Sequence, residues 1–433
     1  MPIATDKLEP AREALRAGQM ERALALLGPM LTAAPKDAEL YYLRGMAYSN
    51  SGRLREALTD FDAALMLSPG APPVLFNRAL TFYRMERLEE ALADFELLVK
   101  VDPNSVEALA NAGIIHLRRE SYSQAVNHLQ RALALAPRQP QLMRSLANAF
   151  RGEGKVDQAL RLHLDVEAAI PDDAAALTDH ALTLLTSNQV EVAQSYYLKT
   201  LRLHPGDQTA LAGLYMTANE LGQTELIDTL MDYHRLLACS ICGPEEMLDL
   251  NSLRASILSH EHLTWEPIGR STRRGQQSAM LDISSRAPFS HFGQILRSFI
   301  ARRFEDLEVA FSSQAHPWLV VRPSHWRLQV WATVLHEGGR QSPHIHPAGW
   351  MSGVFYVDVG DAVGEDSGAL VFGHPPHNLP LSADAREWTH RPQNGQFITF
   401  PSYFFHHTLP YAGKRPRISL AFDVIPTTSP HFQ

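Results

Sequence analysis

Apolar positions over the first 230 residues follow helical spacing, and the same pattern then returns as whole blocks every 34 residues. Leu58, Phe61, Ala64 and Leu65 show the local spacing, one face of a helix with 3.6 residues per turn. Ala23, Ala57, Ala91, Ala125, Ala159 and Ala193 show the longer period, and Pro35, Pro69, Pro103, Pro137, Pro171 and Pro205 close successive blocks. A small residue recurs at Gly45, Ala79, Gly113, Ala147 and Ala181. A further position reads Gly18, Gly52, Glu86, Glu120, Gly154, Asn188 and Gly222. Each block predicts a helix pair. The small residues let its two helices approach, and proline cannot continue the helix it follows. The register fades after Gly222, as an atypical terminal unit that caps a solenoid would.

From residue 326 the pattern shortens to strand-like runs at 326–335, 352–359, 369–372, 396–400 and 418–424, separated by turns rich in Gly, Pro and Asp. Such runs predict an all-β sandwich or barrel with helices packed outside. The stretch from about 240 to 325 is mixed, with a helix expected over 290–304 and a polar loop over 272–277. The expected organisation is helical repeats over 1–238, a junction over 239–262 and a β-domain over 263–433.

Composition narrows the classes. A chain of 433 residues is too long for one ordinary core. A net charge of −8 gives no electrostatic reason to expect nucleic acid or an anionic membrane surface as partner. The opening residues carry no basic and apolar leader, and no run of eighteen apolar residues occurs. Neither a secretory signal nor a membrane span is therefore expected, and the location expected is cytoplasmic. Cys239 and Cys242, spaced C-x-x-C, lack a thioredoxin-like context and read as two reduced thiols near the junction.

The candidate chemistry lies in the β-part. His344 and His346 stand at i and i+2, so an extended strand puts both imidazoles on one side. His406 on a neighbouring strand would close a facial metal site with open coordination positions. Gly338 precedes His344 by six positions, and Gly395 precedes Pro401 by six, with His406 five further on. These stretches resemble the two halves of the cupin motif, although its glutamate is missing (Trp350 and Met351 occupy the positions) and its glycine after the proline is Tyr403. The proline spacing selects His406 over His407. His336-Glu337 fails as a metalloprotease motif because position 340 is Arg340. His374 and His377, in a Gly/Pro-rich loop, read as solvated residues.

Two family resemblances extend this reading. Tyr41, Gly45, Tyr48, Ala57, Phe61, Ala64 and Pro69 resemble the tetratricopeptide repeat, and six such units run from about residue 4 to 205. That resemblance implies an α-solenoid with a groove for a peptide or protein. The β-part, with His344-Ile-His346-Pro347, 350–357, 368–372, Phe400-Pro401-Ser402, His406 and Arg417-Ile-Ser419, resembles the iron- and 2-oxoglutarate-dependent oxygenases of the double-stranded β-helix fold, a cupin-like jelly roll. It implies that His344, His346 and His406 hold Fe(II), with His344 and His406 catalytic. Arg417 would pair with the distal carboxylate of 2-oxoglutarate, assisted by Ser419. One departure stands out: the wider superfamily carries H-x-D, and here the aspartate is His346. The expected activity is hydroxylation of a protein or peptide recruited by the repeats. Two alternatives stay open: a cupin-like three-histidine metalloenzyme that does not use 2-oxoglutarate, and a non-catalytic repeat scaffold.

Overall fold

The structure is a computed structural model that describes residues 5–243, 248–312, 315–377, 379 and 381–428, so the opening residues 1–4 lie outside it. The chain forms two compact units, one up to Lys155 and one from Val156.

In the first unit, helices Thr5–Arg16, Met20–Ala33, Ala38–Asn50, Leu54–Leu67, Pro72–Arg84, Leu88–Val101, Val106–Arg118, Tyr122–Leu135 and Pro140–Gly152 pack each against the next. The recurring alanines Ala23, Ala57, Ala91 and Ala125 are fully buried. At Gly45 a Cβ would sit 2.7 Å from the ring of Phe61, which explains the small residue at that position. Two N-termini are capped by side chains: the Asp37 carboxylate accepts from the Glu39 N–H, and the Ser105 hydroxyl from the Ala108 N–H. Pro35 and Pro69 follow the last residues capping their helices, Ala34 and Ser68.

One repeat position gains a physical meaning here. Gly18, Gly52, Gly154 and Gly222 have φ between 65° and 81°, and Glu86, Glu120 and Asn188 adopt φ of 58–60° at the same place. The turn between the two helices of each repeat is left-handed there. Glycine takes that conformation freely, whereas a residue with a Cβ is strained.

In the second unit, helices Val156–Ala169, Ala174–Thr186, Val190–Leu203 and Gln208–Glu220 continue the repeat pattern. Two short helices, Thr224–Leu230 and Tyr233–Leu236, then lead into the β-domain. These last helices bury into it. The Tyr215 hydroxyl donates to the Gly373 carbonyl at 2.9 Å, Asn219 donates to the Asp384 carbonyl at 3.0 Å, and the Tyr403 hydroxyl donates to the Leu230 carbonyl. Tyr215, Leu230 and Leu236 share one apolar core with Phe355 and Phe400. The fade of the repeat after Gly222 is thus a change of packing partner, from another helix pair to a sheet.

The β-domain is a curled antiparallel sheet of jelly-roll character, with strands β1 (Ala238–Ile241), β2 (Leu263–Trp265), β3 (Thr272–Ser278), β4 (Trp326–His344), β5 (Met351–Asp358), β6 (Leu370–Phe372), β7 (Trp388–His390), β8 (Gln396–Pro401), β9 (His406–Thr408) and β10 (Arg417–Pro426). Their order is β1-β8-β5-β10-β4-β9-β6-β7, with β3 also on β4 and β2 on β3. Helix Phe289–Ala310 extends beyond the expected 290–304 and stacks Phe292 and Phe299 on Phe397. The polar loop expected over 272–277 is strand β3. Pairing with β4, at Gln276↔Val334 and Gln277↔Thr333, overrides the local composition. The junction residues supply β1, paired with β8, and helix Leu250–Leu258. Among the described residues, no helix is long and apolar enough to cross a membrane.

Candidate metal centre

Strand β4 makes the site possible by joining two parts of the sheet. Its first part pairs with β10 from Trp326↔Pro426 to Leu335↔Arg417. Next, Gly338, at φ +75°, sits in a bulge where β4 advances from Leu335 to Arg340 while β3 moves back only from Gly275 to Arg273. Beyond the bulge β4 pairs with β9, and His344 stands directly opposite His406. Directly opposed residues on an antiparallel pair bring their side chains together on one face. The two ring centroids are 4.3 Å apart.

His346 follows the end of β4 and stays in register because its N–H donates to the Ser402 carbonyl at 3.0 Å. Its ring lies 5.1 Å from that of His344 and 5.0 Å from that of His406. One nitrogen of each imidazole falls within 4.8 Å of the others. His407, next along β9, is directed away toward His374, 5.9 Å off.

The hydrogen bonds around these rings fix their chemistry. Nδ1 of His344 lies 2.8 Å from the Ser342 carbonyl, and Nδ1 of His406 lies 3.0 Å from the Phe404 carbonyl. Nδ1 of His346 lies 2.5 Å from the Asp423 carboxylate. A carbonyl or carboxylate can only accept, so each Nδ1 carries a proton and Nε2 is the nitrogen left for a metal. Metal-ligating histidines are held in this way. His344 also has the Ser271 hydroxyl 3.3 Å from its Nε2. Burial, then the neighbouring His346, pushes His344 down to about 3. Burial likewise holds His406 well below the usual histidine range. Both rings are neutral at pH 7, the form a metal requires.

Asp423 belongs to a small buried network. The Ser352 hydroxyl donates to it at 2.6 Å and sits 2.7 Å from the Ser402 hydroxyl. Neither Asp423 nor the two serines was assigned a role from sequence. A signal existed: Arg417, Ser419, Ala421 and Asp423 alternate along β10, so they share one face. The carboxylate that H-x-D would place at 346 therefore stands one hydrogen bond further out.

Arg417 and Ser419 line the same cavity as the three histidines, with Trp331, Tyr356, Phe400 and Thr408 completing its walls. Arg417 is 2% exposed, and its Nε and Nη1 make no hydrogen bond among the described residues. Its guanidinium carbon lies 4.9 Å from the centre of the Tyr356 ring. Burial lowers the Arg417 pKa and pushes the Tyr356 phenol up to about 12. A buried cation with unused donors and, among the described residues, no carboxylate paired with it costs several kcal/mol, on the order found for unpaired buried ions. The arrangement suits an anionic ligand. Three imidazole nitrogens within 4.8 Å of one another and an anion-seeking guanidinium in one cavity fit a metal together with a carboxylate-bearing co-substrate.

Cys239 and Cys242 form no disulfide, and burial raises the Cys239 thiol above its usual value. That thiol is not activated.

Residues 329–423 match the family described as "Putative 2OG-Fe(II) oxygenase". Residues 38–71, 76–140 and 111–176 match tetratricopeptide repeat families. No curated protein matches the chain. Similar solved structures include a tetratricopeptide repeat protein from Parabacteroides merdae, at 18% identity and TM-score 0.44, covering 52% of this chain and 90% of that one. PilF of Pseudomonas aeruginosa is similar at 20% identity and TM-score 0.42, covering 51% and 96%. YrrB, a repeat protein described as having an unusual peptide-binding site, is similar at 22% identity and TM-score 0.40, covering 43% and 95%. The chain thus carries tetratricopeptide repeats in its N-terminal part and, over residues 329–423, a domain of the 2OG-Fe(II) oxygenase family.

Proposed function

We propose that this protein is an Fe(II)- and 2-oxoglutarate-dependent oxygenase that hydroxylates a protein or peptide recruited by its repeats. The observation that carries this reading is Arg417, a buried guanidinium with free donors in the cavity of the three-histidine cluster. A three-histidine metalloenzyme that does not use 2-oxoglutarate gives that cation no task.

His344, His346 and His406 would hold the metal, which when bound supplies oxygen activation coupled to decarboxylation of the co-substrate. Their Nδ1 partners keep the three rings from turning. Arg417 would take the distal carboxylate of 2-oxoglutarate through its planar fork, a geometry that lysine cannot reproduce. Ser419, two residues along the same strand face, adds a hydroxyl to that cradle. Trp331 and Phe400 line the cavity with apolar surface that limits water.

Tetratricopeptide repeats as a class bind peptides and proteins, which supports a macromolecular substrate. In this reading residues 1–238 recruit, 239–262 join, and 263–433 oxidise. The test is succinate formation from 2-oxoglutarate by the iron-loaded protein, with Arg417→Ala as control. Turnover that disappears in the variant supports the reading. Absence of any 2-oxoglutarate turnover, or turnover indifferent to Arg417→Ala, overturns it.

A further inference from the structure

A second cluster of donors lies in the first unit, far along the sequence from the β-domain and unrelated to the oxygenase reading. Two repeats share an internal ion pair between their helices. Arg44 holds Asp60 through two bonds of 2.7 Å, and Arg78 holds Asp94 through bonds of 2.8 and 2.7 Å. At the same two places the next repeat carries Ala112 and His128. The arginine is gone, and an imidazole stands where the carboxylate was.

That repeat departs at a third place as well. The position filled by Phe82 and Phe150 in its neighbours is His116. The two histidine rings stack, with centroids 5.3 Å apart and planes 13° from parallel. Glu96, from the preceding helix Leu88–Val101, brings a carboxylate oxygen 3.4 Å from His116 Nε2. One nitrogen of each ring and one Glu96 oxygen all lie within 4.8 Å of one another.

A purely structural role would make this a poor choice of residues. His116 is 7% exposed, and Nδ1 of both His116 and His128 is buried without a hydrogen-bond partner among the described residues. The phenylalanines of the neighbouring repeats fill the same place and bury no polar atom. A buried nitrogen without a partner destabilises the fold that carries it.

We propose that Glu96, His116 and His128 form a binding site for a divalent late transition-metal ion of the zinc class. Two imidazoles and one carboxylate are a donor set suited to such ions, and they leave a coordination position for water. The ligands come from three successive helices, Leu88–Val101, Val106–Arg118 and Tyr122–Leu135. A bound ion would therefore clamp one repeat to the next. Glu96 is 43% exposed at its side chain, so the ion reaches the site from solvent and the carboxylate swings in to complete it.

The test is zinc binding to the full-length, chelator-stripped chain by equilibrium dialysis, with thermal melting alongside. His116→Phe is the informative variant, because the neighbouring repeats already carry Phe there and the fold tolerates it. His116→Phe and Glu96→Gln should each lower zinc affinity at this site at least tenfold and abolish its share of the zinc-induced rise in melting temperature. The double variant His344→Ala/His406→Ala should keep one zinc per chain. The proposal is overturned if the wild-type chain binds no zinc, if both repeat variants bind it as the wild type does, or if the β-domain double variant loses all of it.

Discussion

His346 Nδ1 lies 2.5 Å from Asp423 Oδ1, so the ring that replaces the expected acid is itself held by an acid. A neutral imidazole brings no charge to a cation, but a hydrogen-bonded carboxylate raises its basicity and fixes its orientation. The pair supplies much of what a directly bound aspartate would, at one remove.

Asp423→Asn tests that relationship. An amide still fills the space but no longer bears the charge. Metal affinity should fall about 10- to 100-fold, the range typical for such outer partners. Anaerobic Fe(II) or Co(II) titration would measure it, and an unchanged affinity would mean that Asp423 does not tune His346.

Arg417 links stability to ligand binding. Its burial with no counter-ion among the described residues costs the ligand-free protein, so Arg417→Met should stabilise it, by about 1–4 kcal/mol on the scale of buried ion pairs replaced by apolar residues. The same variant should lose 2-oxoglutarate binding. Urea unfolding paired with co-substrate titration checks both, and a destabilised Arg417→Met chain would contradict the uncompensated-cation argument.

The left-handed turn position offers a backbone experiment. Glu120 is exposed at φ 58°, so Glu120→Gly should stabilise the chain by roughly 0.5–1 kcal/mol. Gly154, at φ 81°, has open space where a Cβ would go. Gly154→Ala should therefore destabilise by roughly 1 kcal/mol through backbone strain alone. Denaturant midpoints would show the two shifts with opposite sign; shifts of the same sign would rule out the turn geometry as their cause.

Acid should destabilise the second unit through His316. This ring is 2% exposed; its Nδ1 accepts from the Trp318 N–H at 3.1 Å, and its Nε2 lies 3.0 Å from the Thr229 carbonyl. Protonation at Nδ1 breaks the first of these bonds. Burial lowers the folded pKa below the ordinary 6.5, so the unfolded chain takes up the proton first. Stability should be full above about pH 6.5, decline as the pH falls below it, and level off past the lowered folded value. Melting curves of wild type and His316→Gln between pH 7.5 and 5 would show a shallower decline in the variant. Parallel declines would exclude His316 as a source.

Much of this was legible in the chain. The 34-residue period named the helix pairs because each repeat solves the same packing problem with the same residues, as Gly45 against Phe61 shows. The runs that became β4, β5, β6, β8 and β10 announced themselves because their apolar residues form a continuous core. Strand β3 did not, since its polar residues are held by pairing with β4 rather than by their own preference. β9 was too short to read as a strand, and only the spacing from Pro401 separated His406 from His407.

The sequence by itself offered the candidates: His344 and His346 from their i, i+2 spacing, His406 from its distance to Pro401, and Arg417 from the resemblance to the oxygenases. Only the tertiary structure decided what those donors face. Asp423 meets His346 across 77 positions of sequence, and Arg417 is buried with no acid paired to it among the described residues. Hydrogen bonding and desolvation act between residues that the fold brings together, and a one-dimensional pattern carries neither distance nor burial.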